Sequence, residues 1–278
     1  SRQYAEHAYI QHRRVARNSL ALFEGRYGPL EEQVEARRTN CFSVDGYANM
    51  DRRWATRTRD LVYWFDQLHV PLRLATSTAM AVNDREIEGG TVSASLAGNK
   101  RKSGSAEAFE PSYRGSYPHL LFELYTLREG AGGAREVLLT PDGLDSWSAA
   151  PGDEEPFYVH DLARAETPWM DGDALRRIVR RTVKDVLNER PNSLNGLRYQ
   201  DLQDGADGVL GTHMFRHSFA RLLVLENPNE RGKEVAAQLL DHVDTTMVEK
   251  VYAWRDETDY DQSSILDQAV EQHEQRKS

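Results

Sequence analysis

Apolar residues recur at helical spacing over residues 3–24, where Tyr4, Ala8, Val15, Leu20 and Leu22 stand among polar neighbours. Gly28-Pro29 breaks this pattern. Leu30–Arg38 predicts a second, short helix, Asn40–Asn49 a loop, and Asp51–Leu68 a third helix ending near Pro71. Residues 1–70 therefore read as a small helical segment. From Val70 the pattern becomes mixed. Thr91–Leu96 alternates as a half-buried strand does, and Gly98-Asn99-Lys100 suits a hairpin turn. Residues 103–118 read as loop, and Leu120–Leu127 and Val137–Leu139 as strands flanking the glycine-rich Glu129–Gly133. Pro141–Pro156, rich in Pro, Gly and acidic residues, reads as a surface insertion.

Asp173–Asn188 gives the clearest helix, with Leu175, Ile178, Val179, Val183 and Val186 as its apolar stripe and Pro191 just beyond its end. Opposite that stripe stand Arg176, Arg177, Arg180, Arg181 and Lys184, the best basic surface in the chain. Three further helices are predicted over Gly211–Glu226, Glu234–Asp241 and Thr245–Trp254. After Asp261 the chain is polar apart from Ile265, Leu266, Ala269 and Val270, and no internal repeat is evident. The fold class expected is mainly α with a small antiparallel β-sheet (α+β).

Composition narrows the picture. A chain of 278 residues, 39% hydrophobic with mean hydropathy −0.68, fits a soluble protein of one large domain or two modest ones. No apolar run approaches the ~20 residues that span a bilayer, and no secretory signal opens the chain. The start at Ser1 leaves room for an upstream segment. Cys41 is the single cysteine, so no internal disulfide is possible and a reducing, cytoplasmic setting is expected. The net charge of −9 argues against indiscriminate binding to polyanions. Its distribution matters more than its sum: acidic residues bunch in Asp153–Glu155 and Asp256–Asp261, and arginines cluster elsewhere.

The densest chemistry lies in residues 212–254. His213 and Arg216 are three apart on a predicted helix and share a face; His242 closes Leu240-Asp241-His242, and Tyr252 follows on the next predicted helix. An arginine fork with imidazole donors suits the oxygens of a phosphate whose charge grows in a transition state. A tyrosine hydroxyl can act as covalent nucleophile. Tyr260 competes for that role, but its Asp-rich neighbourhood would repel a phosphate. His213 and His217 also have metal-pair spacing, yet Met214 occupies the position where a zinc protease carries its glutamate, and no metal or other cofactor is expected.

This stretch resembles the catalytic end of the tyrosine recombinases, the phage-integrase superfamily. His213 and Arg216 match that family's His-x-x-Arg box, Leu240-Asp241-His242 its Leu-Gly-His box with Asp241 in place of glycine, and Tyr252 its terminal nucleophile. Phe215, His217, Phe219 and Ala220 are also typical around the arginine. Outside residues 212–254 the likeness is loose. The family uses an earlier arginine, for which Arg73 is chosen over its rival Arg85, and a hairpin lysine, for which Lys100 and Lys102 remain alternatives. Arg198, in Gly196-Leu197-Arg198-Tyr199-Gln200-Asp201, imitates the first-arginine box but lies too close to His213 to leave room for the hairpin.

The resemblance implies a site-specific DNA recombinase or integrase that breaks and rejoins DNA through a 3′-phosphotyrosyl intermediate. Residues 71–262 would form the catalytic domain, residues 1–70 the remnant of a DNA-clamping domain, and residues 263–278 a polar tail. Double-stranded DNA would be the partner, with a homotetramer on two DNA sites, a nucleoid-associated location and no membrane. Arg176, Arg177, Arg180, Arg181 and Lys184 would contact the DNA backbone, positioning the protein without reading sequence. A telomere resolvase or type IB topoisomerase shares the chemistry. A DNA-binding protein that keeps the fold without catalysis is the rival of a different class.

Overall fold

The computed structural model describes residues 2–39, 48–97, 110–114, 116–141, 146–194, 215–216, 218–220, 223 and 230–240. Helix α3 (Ala48–His69) is the element around which the others pack: α1 (Arg2–Tyr27), α5 (Ser116–Thr126), α6 (Ala134–Leu139) and α7 (Gly172–Glu189) all lie against it. A helix touched on so many sides is buried nearly all round. From Thr58 to Leu68 every α3 side chain is buried, including Arg59, Asp60, Asp66 and Gln67. Burying such polar groups requires partners, and each of these has one. Arg59 donates to the Val159 carbonyl at 2.9 Å, Arg181 and Arg59 bind Asp60, and Gln67 donates to Ser77 Oγ at 3.2 Å. Arg85, Tyr113 and Tyr158 surround Asp66.

The remaining helices are α2 (Leu30–Arg38), which packs on α5, the short α4 (Leu74–Thr78), and α8 (Glu230–Leu239). Residues 215–216 and 218–220 are also helical. Strands β1 (Arg85–Glu88), β2 (Thr91–Ala94) and β3 (Ser112–Arg114) form an antiparallel meander with Ile87 opposite Val92 and Val92 opposite Tyr113. The β1–β2 turn is Gly89-Gly90, with φ of 53° and 77°. Two consecutive positive φ values are what a tight two-residue hairpin turn needs, and glycine adopts them without steric penalty. The expected class, mainly α with a small antiparallel sheet, is therefore the class found.

Two predicted strands are helices. All of Leu120–Leu127 but its last residue falls in α5, where Leu121, Phe122, Leu124 and Tyr125 are buried, and Val137–Leu139 falls in α6. A short continuous apolar run fits a buried strand or a buried helix equally well, and here packing on α3 selects the helix. Between them, Gly130 (φ 62°) passes so close to α2 that a Cβ would stand 2.2 Å from the Arg37 carbonyl oxygen. Only glycine fits there. The turn predicted at Gly98–Lys100 lies outside the described residues.

One hydrophobic cluster runs from Val15 and Phe23 on α1, through Trp64 on α3, to Phe122, Phe157, Ile178 and Phe215. The core is thus continuous across residue 70, and α1–α3 are part of it. Each fully buried Leu or Phe stabilises this core by roughly 1.5–3 kcal/mol relative to exposure. Among the described residues, no helix is long and apolar enough to cross a membrane.

Candidate active site

Arg216 is 4% exposed. A desolvated guanidinium is tolerable only with acceptors on its N–H groups. Its Nη1 donates to the Pro71 carbonyl at 2.6 Å, and its Nη2 to the carbonyl of Leu240. Pro71 stands two residues before Arg73, and Leu240 opens the Leu240-Asp241-His242 box. One side chain therefore joins three segments that are remote in sequence. Phe215, next to it, is buried against His12 of α1 and Trp64 of α3.

Arg73 caps the N-terminus of α4 with extended backbone (φ −62°, ψ 146°), and its carbonyl accepts from Ser77 N at 2.9 Å. Val70, Pro71 and Leu72 before it are buried, so Arg73 leaves the core at a fixed point, and its side chain is half-buried. Proline contributes a locked φ and no N–H needing a partner.

Arg85 has a different setting. It begins β1, its side chain is buried, and it pairs with Asp66, which also accepts hydrogen bonds from the Tyr113 and Tyr158 hydroxyls. Its guanidinium also lies over the Phe122 and Phe157 rings, 5.1 and 5.4 Å from their centroids. Burial works to lower the Arg85 pKa, but the Asp66 carboxylate and the Tyr158 and Tyr113 side chains together outweigh it and the net shift is upward. Burial, and then Asp66, push both tyrosines well above the ordinary phenol value. This network fastens the sheet to α3. Arg85 is enclosed by it, whereas the Arg73 segment is the one bonded to Arg216.

Helix α7 presents its predicted apolar stripe to the core, with Leu175, Ile178, Val179, Val183 and Val186 buried. Asp171 caps it, accepting from Ala174 N at 2.7 Å. Arg176, Arg177, Arg180 and Lys184 are exposed, with Arg176 2.5 Å from Asp173. Arg181 turns towards α3 and grips buried Asp60 with Nε at 2.6 Å and Nη2 at 2.7 Å. A bidentate arginine–carboxylate pair is geometrically specific. The cationic face of α7 thus divides into an outward set and one residue tied inward.

His213, His242, Tyr252, Lys100 and Lys102 lie outside the described residues, as do the competing Tyr260, the decoy Arg198 and the patch Ile265–Val270. His12, Asp60 and Asp66 were not singled out by the sequence. A lone histidine among apolar residues, or an aspartate within a helix, carries no signal until its remote partner is known.

No family model matches the chain, and no curated protein matches it. Among solved structures the chain is similar to the XerH site-specific recombinase bound to difH substrate in a pre-cleavage complex, at 16% identity and TM-score 0.46, covering 84% of this chain and 51% of that one. It is also similar to XerA recombinase, at 13% identity and TM-score 0.44, covering 84% and 62%. A third is the Tn1549 transposon integrase in complex with transposon right end DNA, at 12% identity and TM-score 0.41, covering 86% and 64%. The chain spans less than two thirds of the length of each of these three.

Proposed function

We propose that this chain is the catalytic part of a tyrosine-type DNA recombinase or integrase. The observation that carries the reading is the convergence on Arg216. Its fork bonds to the segment presenting Arg73 and to the first residue of the Leu240-Asp241-His242 box. A single phosphate site built from these segments requires them to be neighbours, and the two bonds of Arg216 support that arrangement.

In this reading Arg73, Arg216, His213 and His242 hold the scissile phosphate and stabilise the charge that develops on it. The Tyr252 hydroxyl gives its proton to solvent water as its oxygen attacks phosphorus. The bond from phosphorus to the 5′ oxygen breaks, and Lys100 or Lys102 protonates that oxygen. The products are a 3′-phosphotyrosyl link and a free 5′ hydroxyl. Attack by a 5′ hydroxyl from a partner strand reverses the step, so bond energy is conserved. Exposed Arg176, Arg177, Arg180 and Lys184 supply sequence-independent backbone contacts. The working assembly is a homotetramer on two DNA sites.

The test is trapping on a suicide substrate. Nicked duplex from the DNA flanking this chain's gene is incubated with wild type and with Tyr252→Phe in EDTA, then resolved on a denaturing gel. A covalent protein–DNA band with wild type and none with the variant is expected. Binding without a band from either protein, on DNA that is the true site, would replace the enzyme with a DNA-binding protein.

A further inference from the structure

We infer that His12, on α1, is a positioning residue for Arg216, holding the helix that carries this arginine through a stack on Phe215. The His12 and Phe215 rings lie 3.9 Å apart between centroids and 15° from parallel. Trp64 closes the group, edge-on to both, at 5.9 Å from His12 and 5.1 Å from Phe215 with interplanar angles of 78°. Trp64 Nε1 also donates to the His12 carbonyl at 3.0 Å, so the α1 backbone is pinned to α3 at the residue that makes the stack. His12 is fully buried and Phe215 nearly so. Aromatic pairs of this kind contribute beyond the area they bury.

Geometry makes the contact specific to Arg216. Successive helical residues point about 100° apart, following from 3.6 residues per turn. Gripping Phe215 therefore sets the direction, about 100° further round the helix, in which Arg216 leaves it. The arginine must meet two fixed acceptors at once, the carbonyls of Pro71 and Leu240, so little rotational error is tolerated. Among the described residues neither His12 ring nitrogen has a hydrogen-bond partner. The ring acts by shape, and phenylalanine should replace it in this role.

The hold on Arg216 stands on the structure alone, whereas its consequence for strand cleavage rests on the recombinase reading. The test compares His12→Ala, His12→Phe and wild type at neutral pH by hydrogen-exchange mass spectrometry and by single-turnover formation of the covalent adduct. His12→Ala should speed amide exchange in residues 215–220 while α5 and α6 keep wild-type protection, and His12→Phe should restore it. Adduct formation by His12→Ala should slow by on the order of 100-fold, the penalty of a misplacement near 1 Å, with DNA affinity within about threefold of wild type. Unchanged exchange at 215–220, or faster exchange everywhere alike, overturns the inference. So does a wild-type adduct rate in His12→Ala despite faster local exchange. If wild type forms no adduct, the recombinase reading fails and exchange still decides what His12 holds.

Discussion

Arg216 donates to the carbonyl of Pro71 at 2.6 Å, tying the helix that carries this arginine to the turn that presents Arg73. A second N–H reaches the Leu240 carbonyl, and only a planar fork serves both acceptors. Arg216→Lys keeps the charge but puts its donors on one nitrogen, which does not span the two positions that Nη1 and Nη2 occupy. Loss of one hydrogen bond to a charged group should lower stability by about 1.5–3 kcal/mol in urea unfolding. Adduct formation should fall at least as far as in His12→Ala, because the substitution removes the grip on phosphate and the junction together. Wild-type stability in Arg216→Lys would show that the two carbonyls are not what holds the junction.

The Asp66–Arg85 pair lets the sheet be tested separately from Arg216. Asp66→Asn leaves the buried Arg85 charge uncompensated and should destabilise by about 3–5 kcal/mol. Replacing both partners with apolar residues (Asp66→Leu with Arg85→Met) should cost less than Asp66→Asn alone, since no charge remains to be buried. Urea midpoints of the single and double variants measure this. A double variant less stable than the single would mean that the pair contributes more than mutual charge compensation, through the Tyr113 and Tyr158 hydroxyls that also bind Asp66.

Helices α1, α2 and α7 were legible because their punctuation is local. Gly28-Pro29 separates the first two, and the α7 stripe repeats at helical spacing up to the Pro191 region. Strand β1 was missed because Arg85-Glu86-Ile87-Glu88 holds one apolar residue, and its pairing depends on the Gly89-Gly90 turn and on β2. The central place of α3 was hidden for the opposite reason. Asp60 and Asp66 look like solvent-facing charges until Arg181 and Arg85, remote in the chain, are brought to them. The site follows the same division. His213, Arg216, His242 and Tyr252 stand close together in the sequence as candidates, whereas the enclosure of Arg85 by Asp66, Tyr113 and Tyr158 depends on residues remote from it.

Within α7, neighbouring cations should separate into two behaviours. Arg177→Gln and Arg180→Gln should weaken DNA binding about equally across sequences. Each should also reduce the salt dependence of log Kd by roughly one unit of slope for every phosphate no longer neutralised. Arg181→Gln should instead act on stability, because it removes a bidentate partner from buried Asp60. Titrations at several salt concentrations, alongside urea unfolding, distinguish the two effects. An Arg181→Gln protein of wild-type stability but weakened DNA binding would move this residue to the DNA-facing set.

His12 should give the fold a specific weakness in acid. Burial lowers its pKa from 6.5 to about 3, and the rings it stacks against, Trp64 and Phe215, offer no opposite charge to restore it. Between those values the unfolded chain holds a proton on this ring and the folded chain does not. Stability therefore rises with pH across the window, is complete above 6.5, and is lost as pH falls towards 3. The slope from one such group is about 1.4 kcal/mol per pH unit. His12→Phe has no proton to take up, so its stability should decline less steeply than wild type between pH 6.5 and 4, by close to that amount per unit. Urea midpoints of the two proteins at pH 7.5, 6, 5 and 4 give the comparison. Parallel curves would mean that His12 gains a proton partner in solution and is not held neutral by the aromatic stack.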